Sequence, residues 1–149
     1  MGGNALAING HDYKHYDNVL DAQMSVPFTA ALALLHGDVT AQMFLPQTMA
    51  QPELRTLVAR IDARIDAECE SIYPARRSAV VSIALKDGRR LEQRVYDPKG
   101  ESDNPLSDAD LERKFTTNCE PVIGAARCAA LLNCVRGFEK FDGIGAIFG

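Results

Sequence analysis

Histidine and cysteine side chains are well suited to hold a metal ion or to attack a substrate, and the sequence contains three histidines and four cysteines. His11 and His15 lie four positions apart, a spacing that on a helix would place both imidazoles on one face. The glycine and asparagine before them weaken any helix there, so we expect a flexible or partner-docked arm instead of a metal site. No C-x-x-C pair occurs among the cysteines, which are Cys69, Cys119, Cys128 and Cys134. We therefore predict reduced cysteines, no metal and no cofactor.

Acidic and hydroxyl side chains cluster at several points, but none of these clusters has the surroundings that catalysis needs. Lys99 and Gly100 precede two acids, yet no strand–loop–helix unit surrounds them as in a phosphate-binding loop. Asp108 and its acidic neighbours begin a helix, where the dipole favours anions without any catalytic role. Ser25 could be a nucleophile only beside a base, and helix capping explains it better. The residues taken alone therefore predict no self-contained catalytic site.

The composition is that of a folded globular protein, with 46% hydrophobic and 24% charged residues. A net charge of -4 and a pI near 5.3 argue against nucleic acid or an anionic membrane as a partner. No apolar run approaches the roughly 20 residues of a membrane span, and the first residues lack the basic and apolar regions of a signal peptide. We therefore expect a cytoplasmic protein with neither nucleic acid nor membrane among its partners.

The stretch SVPFTAALALLHG predicts a helix in the centre of the core. Ser25 can cap its first turn, Pro27 is tolerated where amide hydrogens lack helical partners, and Gly37 is well placed to end it. Alanines and leucines make this helix apolar almost all round, so it should be buried. Upstream, residues 1–24 show no sustained periodicity and are predicted to form an irregular arm.

Further along, the hydrophobic period changes from that of helices to that of strands. Apolar residues alternate with charged ones over residues 61–69, which predicts a half-buried strand. Residues 79–85 and 91–95 flank Asp87 and Gly88, a strong two-residue hairpin signal. These three segments predict a three-stranded, antiparallel sheet.

The last third of the chain returns to helices. A turn-rich loop over residues 97–105 precedes Ser107, which is a predicted N-cap with Asp110 three residues later. One helix should run on through Phe115 and another from about Pro121 to Phe138. Helices and strands segregated in this way predict an α+β fold, with the helices packed on the sheet and all 149 residues in one domain.

Three segments are similar, in the same order, to parts of one known domain. They are LDAQMSVPFTAALALLHG, the hairpin ALKDGRRLEQRV and the loop PKGESDNPLSDADLERKF. The Lys-Gly, Asn-Pro-Leu-Ser and Lys-Phe elements at this spacing after a DG hairpin are the most specific part. Over roughly residues 17–140 the chain resembles the C-terminal domain of the MmgE/PrpD family. That family includes 2-methylcitrate dehydratase, cis-aconitate decarboxylase and iminodisuccinate epimerase.

The resemblance implies how catalytic work is divided. Family members are two-domain enzymes in which a large helical domain supplies most catalytic groups, and a smaller α+β domain closes the cleft as a lid. This chain resembles the lid alone, so we expect a truncated form, a split gene product or a degenerate remnant that is inactive by itself. A complete cleft would act on small di- or tricarboxylates by dehydration, decarboxylation or epimerisation. The expected partners are a separate large helical domain or further copies of the chain.

The resemblance also implies two substrate-binding residues, Phe28 and Ser25, at the mouth of the SVPFTAALALLHG helix. Members similar to cis-aconitate decarboxylase carry a tyrosine at Phe28; the phenyl ring lacks its hydroxyl but could still cover a substrate and exclude water. Ser25 keeps a hydroxyl near the same mouth. Both also fit structural roles, Phe28 in the core and Ser25 as a cap. The alternative function is a non-enzymatic module that self-associates or binds a partner through its apolar helical surface.

Overall fold

The computed structural model describes residues 14–140 and residue 145, and the chain divides into two compact units, Met1–Pro105 and Leu106–Gly149. The first contains α1 (Val19–Met24), α2 (Val26–His36), a 3₁₀ turn (Ala41–Phe44), α3 (Pro46–Met49), α4 (Pro52–Val58), α5 (Ala67–Ile72), β1 (Ala79–Ala84) and β2 (Arg90–Val95). The second contains α6 (Asp108–Ile123), α7 (Ala125–Arg136) and a 3₁₀ turn (Phe138–Lys140). His11, half of the histidine pair noted above, lies outside the described residues.

Helix α2 contributes more buried residues to the first unit than any other described helix, as its apolar composition predicts. The Ser25 hydroxyl accepts a hydrogen bond from the Phe28 amide at 3.1 Å, which caps the first turn. At the other end Gly37 takes a left-handed conformation with φ 75° and donates its amide to the Ala33 carbonyl at 2.9 Å. Both predicted ends of this helix are confirmed.

The core of the first unit lies between α2 and the short helices around it. Helix α2 packs against α1 and α4, and the first 3₁₀ turn contacts α1 and α3. The buried hydrophobic residues of this core are Tyr16, Ala22, Phe28, Ala31, Leu32, Phe44, Met49, Leu54 and Val58. Because full burial of a large apolar side chain contributes about 1.5–3 kcal/mol, this cluster is a large source of stability for the unit.

Residues 19–24, which the sequence assigns to an irregular arm, form α1 instead. Asn18 caps this helix, since its side-chain oxygen accepts the Asp21 amide at 3.0 Å. The side-chain nitrogen of Asn18 also donates to the Asp21 carboxylate at 2.8 Å. A helix of six residues is too short to show hydrophobic periodicity, so only this capping pair signals it in the sequence.

The third strand predicted over residues 61–69 is not found there. The first six residues of this segment have no regular secondary structure, and α5 begins after Asp66, whose carboxylate accepts the Cys69 amide at 2.9 Å. The alternating pattern is misleading because its apolar side chains are not all covered. Cys69 is 1% exposed, whereas Ile65 is 57% exposed. A capping aspartate followed by residues that tolerate a helix outweighs the strand pattern.

The hairpin predicted at Asp87 and Gly88 is confirmed. Strands β1 and β2 pair antiparallel, with Ala79 opposite Val95. Gly88 takes a φ of 86°, which the tight turn requires and which residues with a Cβ rarely adopt. The described residues therefore form a two-stranded sheet, so the α+β class is confirmed and the third strand is not.

The second unit is an antiparallel helical hairpin. Its predicted cap is confirmed: the Ser107 hydroxyl accepts the Asp110 amide and the Asp110 carboxylate accepts the Ser107 amide, both at 3.2 Å. Glu112, near the start of α6, accepts a hydrogen bond from Nε of Arg136, at the end of α7, at 2.8 Å. The two helices therefore run in opposite directions.

The break between these two helices lies later than the sequence predicts. Helix α6 does not stop near Phe115 but continues through Pro121, and Gly124 then separates it from α7. Proline lacks the amide that a helix interior uses, which is why it suggests a new start. Here Pro121 is accommodated in the last turn of α6. The break falls at Gly124 because its φ of 79° and ψ of 157° suit glycine.

Candidate functional site

The two predicted substrate-binding residues lie in the interior of the first unit. Phe28 is 0% exposed and Ser25 is 1% exposed. The Ser25 hydroxyl accepts the Phe28 amide, so it is engaged in capping α2. These positions agree with the structural roles that the sequence left open for both residues. Their contact with a substrate stays a prediction.

Phe28 belongs to a cluster of aromatic rings at the start of α2. The Tyr16 ring meets it nearly edge-on, with centroids 4.5 Å apart and planes at 66°. The Phe44 ring lies 5.7 Å from Phe28 with the planes at 40°. Tyr16 and Phe44 are 7% and 8% exposed, so the rings are closely covered. Together they form a buried aromatic cluster, called the apolar wall from here on, in which Tyr16 supplies a hydroxyl.

Arg55 of α4 lies over the Tyr16 ring. Its guanidinium carbon is 5.7 Å from the ring centroid, which is a cation–π distance. The Met49 carbonyl accepts two hydrogen bonds, from Nε of Arg55 at 3.4 Å and from the Tyr16 hydroxyl at 3.5 Å. Burial raises the pKa of Tyr16, and the Arg55 charge partly offsets this. At neutral pH the phenol is therefore protonated and acts as a donor.

Lys14 fastens the segment before α1 to the end of α4. Its ammonium group donates to the Asp62 carboxylate at 2.8 Å and to the Ala59 carbonyl at 3.3 Å. The hydrogen bond from Lys14 and its charge hold the pKa of Asp62 below its ordinary value. Lys14 is thus engaged in an ion pair, which any proton-transfer role would first have to break.

The meeting of Tyr16 and Arg55 is not predicted by sequence patterns. Tyr16 lies in the segment without periodicity, and Arg55 occupies the polar face of α4. The apolar spacing of Leu54 and Val58 predicts which side of α4 is buried, and both are at most 1% exposed. This spacing does not predict that Tyr16, 39 positions before Arg55, packs against it. That contact depends on how the chain folds back between the two residues.

Comparison with known proteins identifies the kind of domain. The MmgE/PrpD C-terminal domain matches residues 3–140. The chain belongs to the MmgE/PrpD family. Similar proteins include the cis-aconitate decarboxylase of Mus musculus, 25% identical over 126 residues, which are 85% of this chain and 26% of the relative. The corresponding decarboxylase of Homo sapiens is 25% identical over 122 residues, 82% of this chain and 25% of the relative. The chain thus spans about a quarter of the length of these relatives.

A second group of charges in this MmgE/PrpD domain joins α5 to β2. Nη1 of Arg94 lies 3.5 Å from Oδ1 of Asp66, and Nη2 lies 3.2 Å from Oε2 of Glu68. Nη1 also donates to the buried Sγ of Cys69 at 3.5 Å. The Cys69 amide, with Arg94 beside it, holds the pKa of Asp66 below its ordinary value. The guanidinium and the two carboxylates compensate one another. This group therefore fastens two elements together and offers no base for proton transfer.

The helical hairpin of the MmgE/PrpD domain carries an open depression of about 430 Å³. Its lining residues are Thr116, Thr117, Glu120, Pro121 and Ala125. Glu120 is the ionisable group in this lining, and no basic residue faces it there. Since general acid–base catalysis needs two positioned groups, the depression does not form an active site by itself.

The described part of the domain contains neither a cluster of metal-binding side chains nor a membrane-spanning helix. Within residues 14–140, no three histidine, cysteine, aspartate or glutamate side chains come close enough to share a metal ion. Over the same residues, no helix has both the length and the hydropathy needed to cross a bilayer.

Proposed function

We propose that this chain is the cleft-closing domain of an MmgE/PrpD enzyme that acts on small di- or tricarboxylates. Family membership supports the kind of domain, and the two relatives described above are decarboxylases of one tricarboxylate, cis-aconitate. Dehydration and epimerisation would begin with removal of a proton next to a carboxylate. Decarboxylation would break the carbon–carbon bond to a carboxylate, release carbon dioxide and return a proton to carbon. The catalytic acid and base would come from a separate domain, on this polypeptide or on another.

Family membership carries this proposal, and the roles of three residues in the described part of the chain agree with it. A general base has to come within about 2.6–3.2 Å of the group whose proton it removes. Ser25 caps α2, Phe28 has no ionisable group, and Lys14 is bound to Asp62. None of these three residues is therefore a free proton acceptor, which agrees with a catalytic base on another domain.

The proposed contribution of the domain is to shield the reaction from water. Closure of an apolar wall over a site expels water and strengthens the electrostatic interactions inside it. The packed rings of Tyr16, Phe28 and Phe44 would form that wall. In this proposal Ser25 and Phe28 stabilise the wall. Ser25 caps α2, and Phe28 packs against the rings of Tyr16 and Phe44. A direct contact of either with substrate remains part of the proposal.

The purified chain alone is expected to show no turnover of cis-aconitate or 2-methylcitrate above the rate in buffer, because the proposal places the catalytic acid and base on another domain. Substrate and product would be followed by NMR over several hours. The mouse cis-aconitate decarboxylase, assayed side by side, serves as the positive control. Measurable turnover of either substrate by the chain alone would contradict the proposed division between lid and catalytic domain.

A non-enzymatic module that self-associates or binds a partner is the second candidate function. Exposed apolar side chains on the helical hairpin favour it. Val122 is 79% exposed, Val135 is 59% exposed and Leu111 is 51% exposed. Where exposed apolar side chains form a contiguous patch, that patch commonly marks a surface that another molecule covers. The same surface could contact a separate catalytic domain, so it does not exclude the first proposal.

Sedimentation velocity tests this second candidate. A self-associating module is expected to give a mass above 16.2 kDa that rises with concentration. Replacing Val122 and Val135 by serine should then return the chain to a monomer. Leu34→Ser removes another exposed apolar group, on α2, and should leave the association unchanged. A wild-type chain that stays monomeric at every concentration argues against self-association.

A further inference from the structure

Two contacts orient the guanidinium of Arg55. Its Nε donates to the Met49 carbonyl at 3.4 Å, and its carbon lies 5.7 Å above the centre of the Tyr16 ring. Tyr16 is itself fixed by its hydroxyl bond to Met49 and by its contact with Phe28. A side chain that is already ordered loses less conformational entropy when it binds a ligand. Binding of a ligand to Arg55 would therefore cost less conformational entropy than binding to an arginine without these contacts.

The two terminal nitrogens of Arg55 remain available within the described structure. Neither hydrogen-bonds to a described residue, and no described carboxylate pairs with them. Most of the other described arginines do have an acidic partner: Arg64, Arg76, Arg77, Arg89, Arg90, Arg94, Arg113 and Arg136. Arg55 thus combines an oriented guanidinium with two terminal nitrogens that pair with no described carboxylate.

Arg55 also lies on the solvent side of the apolar wall, over the Tyr16 ring. Phe28 is 0% exposed and the Tyr16 ring that packs on it is 7% exposed. Arg55, whose guanidinium lies over the Tyr16 ring, is exposed. A molecule that approached this wall from the Tyr16 side would meet the guanidinium before it met Phe28. A ligand at this surface would therefore contact the guanidinium of Arg55 and not the buried ring of Phe28.

We propose that Arg55 binds one carboxylate of the substrate, with its terminal nitrogens donating to the two carboxylate oxygens. This rests on the proposed function and names the group that would recognise di- and tricarboxylates on the lid. Tyr16 is a positioning residue, because it acts by holding the guanidinium. Arg55 binds and does not catalyse, since a guanidinium keeps its proton at neutral pH.

An NMR titration of the full chain with cis-aconitate tests this proposal, with amide shifts as the readout. The wild-type chain is expected to bind with a dissociation constant on the order of millimolar, with shifts around α1 and α4. Arg55→Gln should raise the dissociation constant about tenfold or more. Arg55→Lys should fall between the two, because an ammonium keeps the charge and loses the planar fork.

Arg60→Gln is the matched control. Arg60 lies just after α4, is exposed and has no described acidic partner, so its loss should leave the affinity nearly unchanged. Equal affinities of the wild-type chain and Arg55→Gln, or no binding by the wild-type chain, would overturn the assignment of Arg55. Neither result bears on whether the chain turns over substrate alone. Conversely, turnover by the chain alone would remove the proposed function without changing the Arg55 titration.

Discussion

Replacing Phe28 by alanine is expected to lower the free energy of unfolding by about 3–5 kcal/mol. The ring is 0% exposed and packs between Tyr16 and Phe44, so its removal leaves a cavity that the surrounding helices can fill only in part. Stabilities of natural domains are commonly about 5–15 kcal/mol, so the change is a large part of the total. Urea unfolding followed by circular dichroism measures it, as a shift in the midpoint.

Phe138→Ala provides the matched control for this prediction. Phe138 is 48% exposed, so removing its ring loses less burial and should cost clearly less than the loss of Phe28. A Phe28→Ala chain with unchanged stability would mean that the aromatic cluster is not part of the core. The apolar wall on which the lid proposal rests would then be lost as well.

Phe28→Tyr relates this core position to the predicted substrate contact. In the buried environment described here, the added hydroxyl would have no room to reach water and should cost about 1–3 kcal/mol. A tyrosine that leaves stability unchanged would instead show that the hydroxyl reaches solvent, as expected for a side chain facing an open cleft. The variant therefore distinguishes a core role of Phe28 from the substrate-facing role that the resemblance implies.

Features set by local chemistry could be predicted from the sequence. The cap at Ser25, the end at Gly37 and the capping box at Ser107 each depend on residues within one helical turn. The hairpin at Asp87 and Gly88 depends on two residues whose backbone preferences match the turn. Such features need no knowledge of what the rest of the chain does, which is why they are confirmed.

Features set by competition between local signals were predicted wrongly. The segment over residues 61–69 has the alternation of a strand, but a strand needs a partner to bond its backbone groups. No partner pairs with it among the described residues, and the cap at Asp66 starts a helix instead. At Pro121 the expected break was displaced to Gly124, because proline is tolerated near a helix end while the glycine geometry is not helical.

The candidate site depends on contacts that no local pattern encodes. The resemblance singled out Phe28 and Ser25, and both are buried. Tyr16, which packs on Phe28, and Arg55, which lies over Tyr16, are 39 positions apart and meet only because α4 returns to α2. Periodicity predicts that a helix face is buried without saying what covers it. The surface chemistry of the site could therefore be inferred only once the fold was known.

Leu32→Ala is expected to lower the free energy of unfolding by about 2–5 kcal/mol. Leu32 is 0% exposed on α2, at the centre of the buried cluster, so alanine would leave a cavity among residues of several helices. The loss of stability should appear as a lower urea midpoint with an unchanged slope, since the surface exposed on unfolding stays nearly the same.

Leu34→Ala, two positions along the same helix, separates burial from helix propensity. Leu34 is 48% exposed, and alanine is at least as good a helix former as leucine, so this variant should change stability by no more than about 0.5 kcal/mol. The pair differs in which face of α2 is changed and not in the chemistry of the substitution. Equal losses for both variants would mean that α2 is covered all round, as its apolar composition alone suggests. A large loss at Leu32 alone would show that α2 has one buried face and one exposed face.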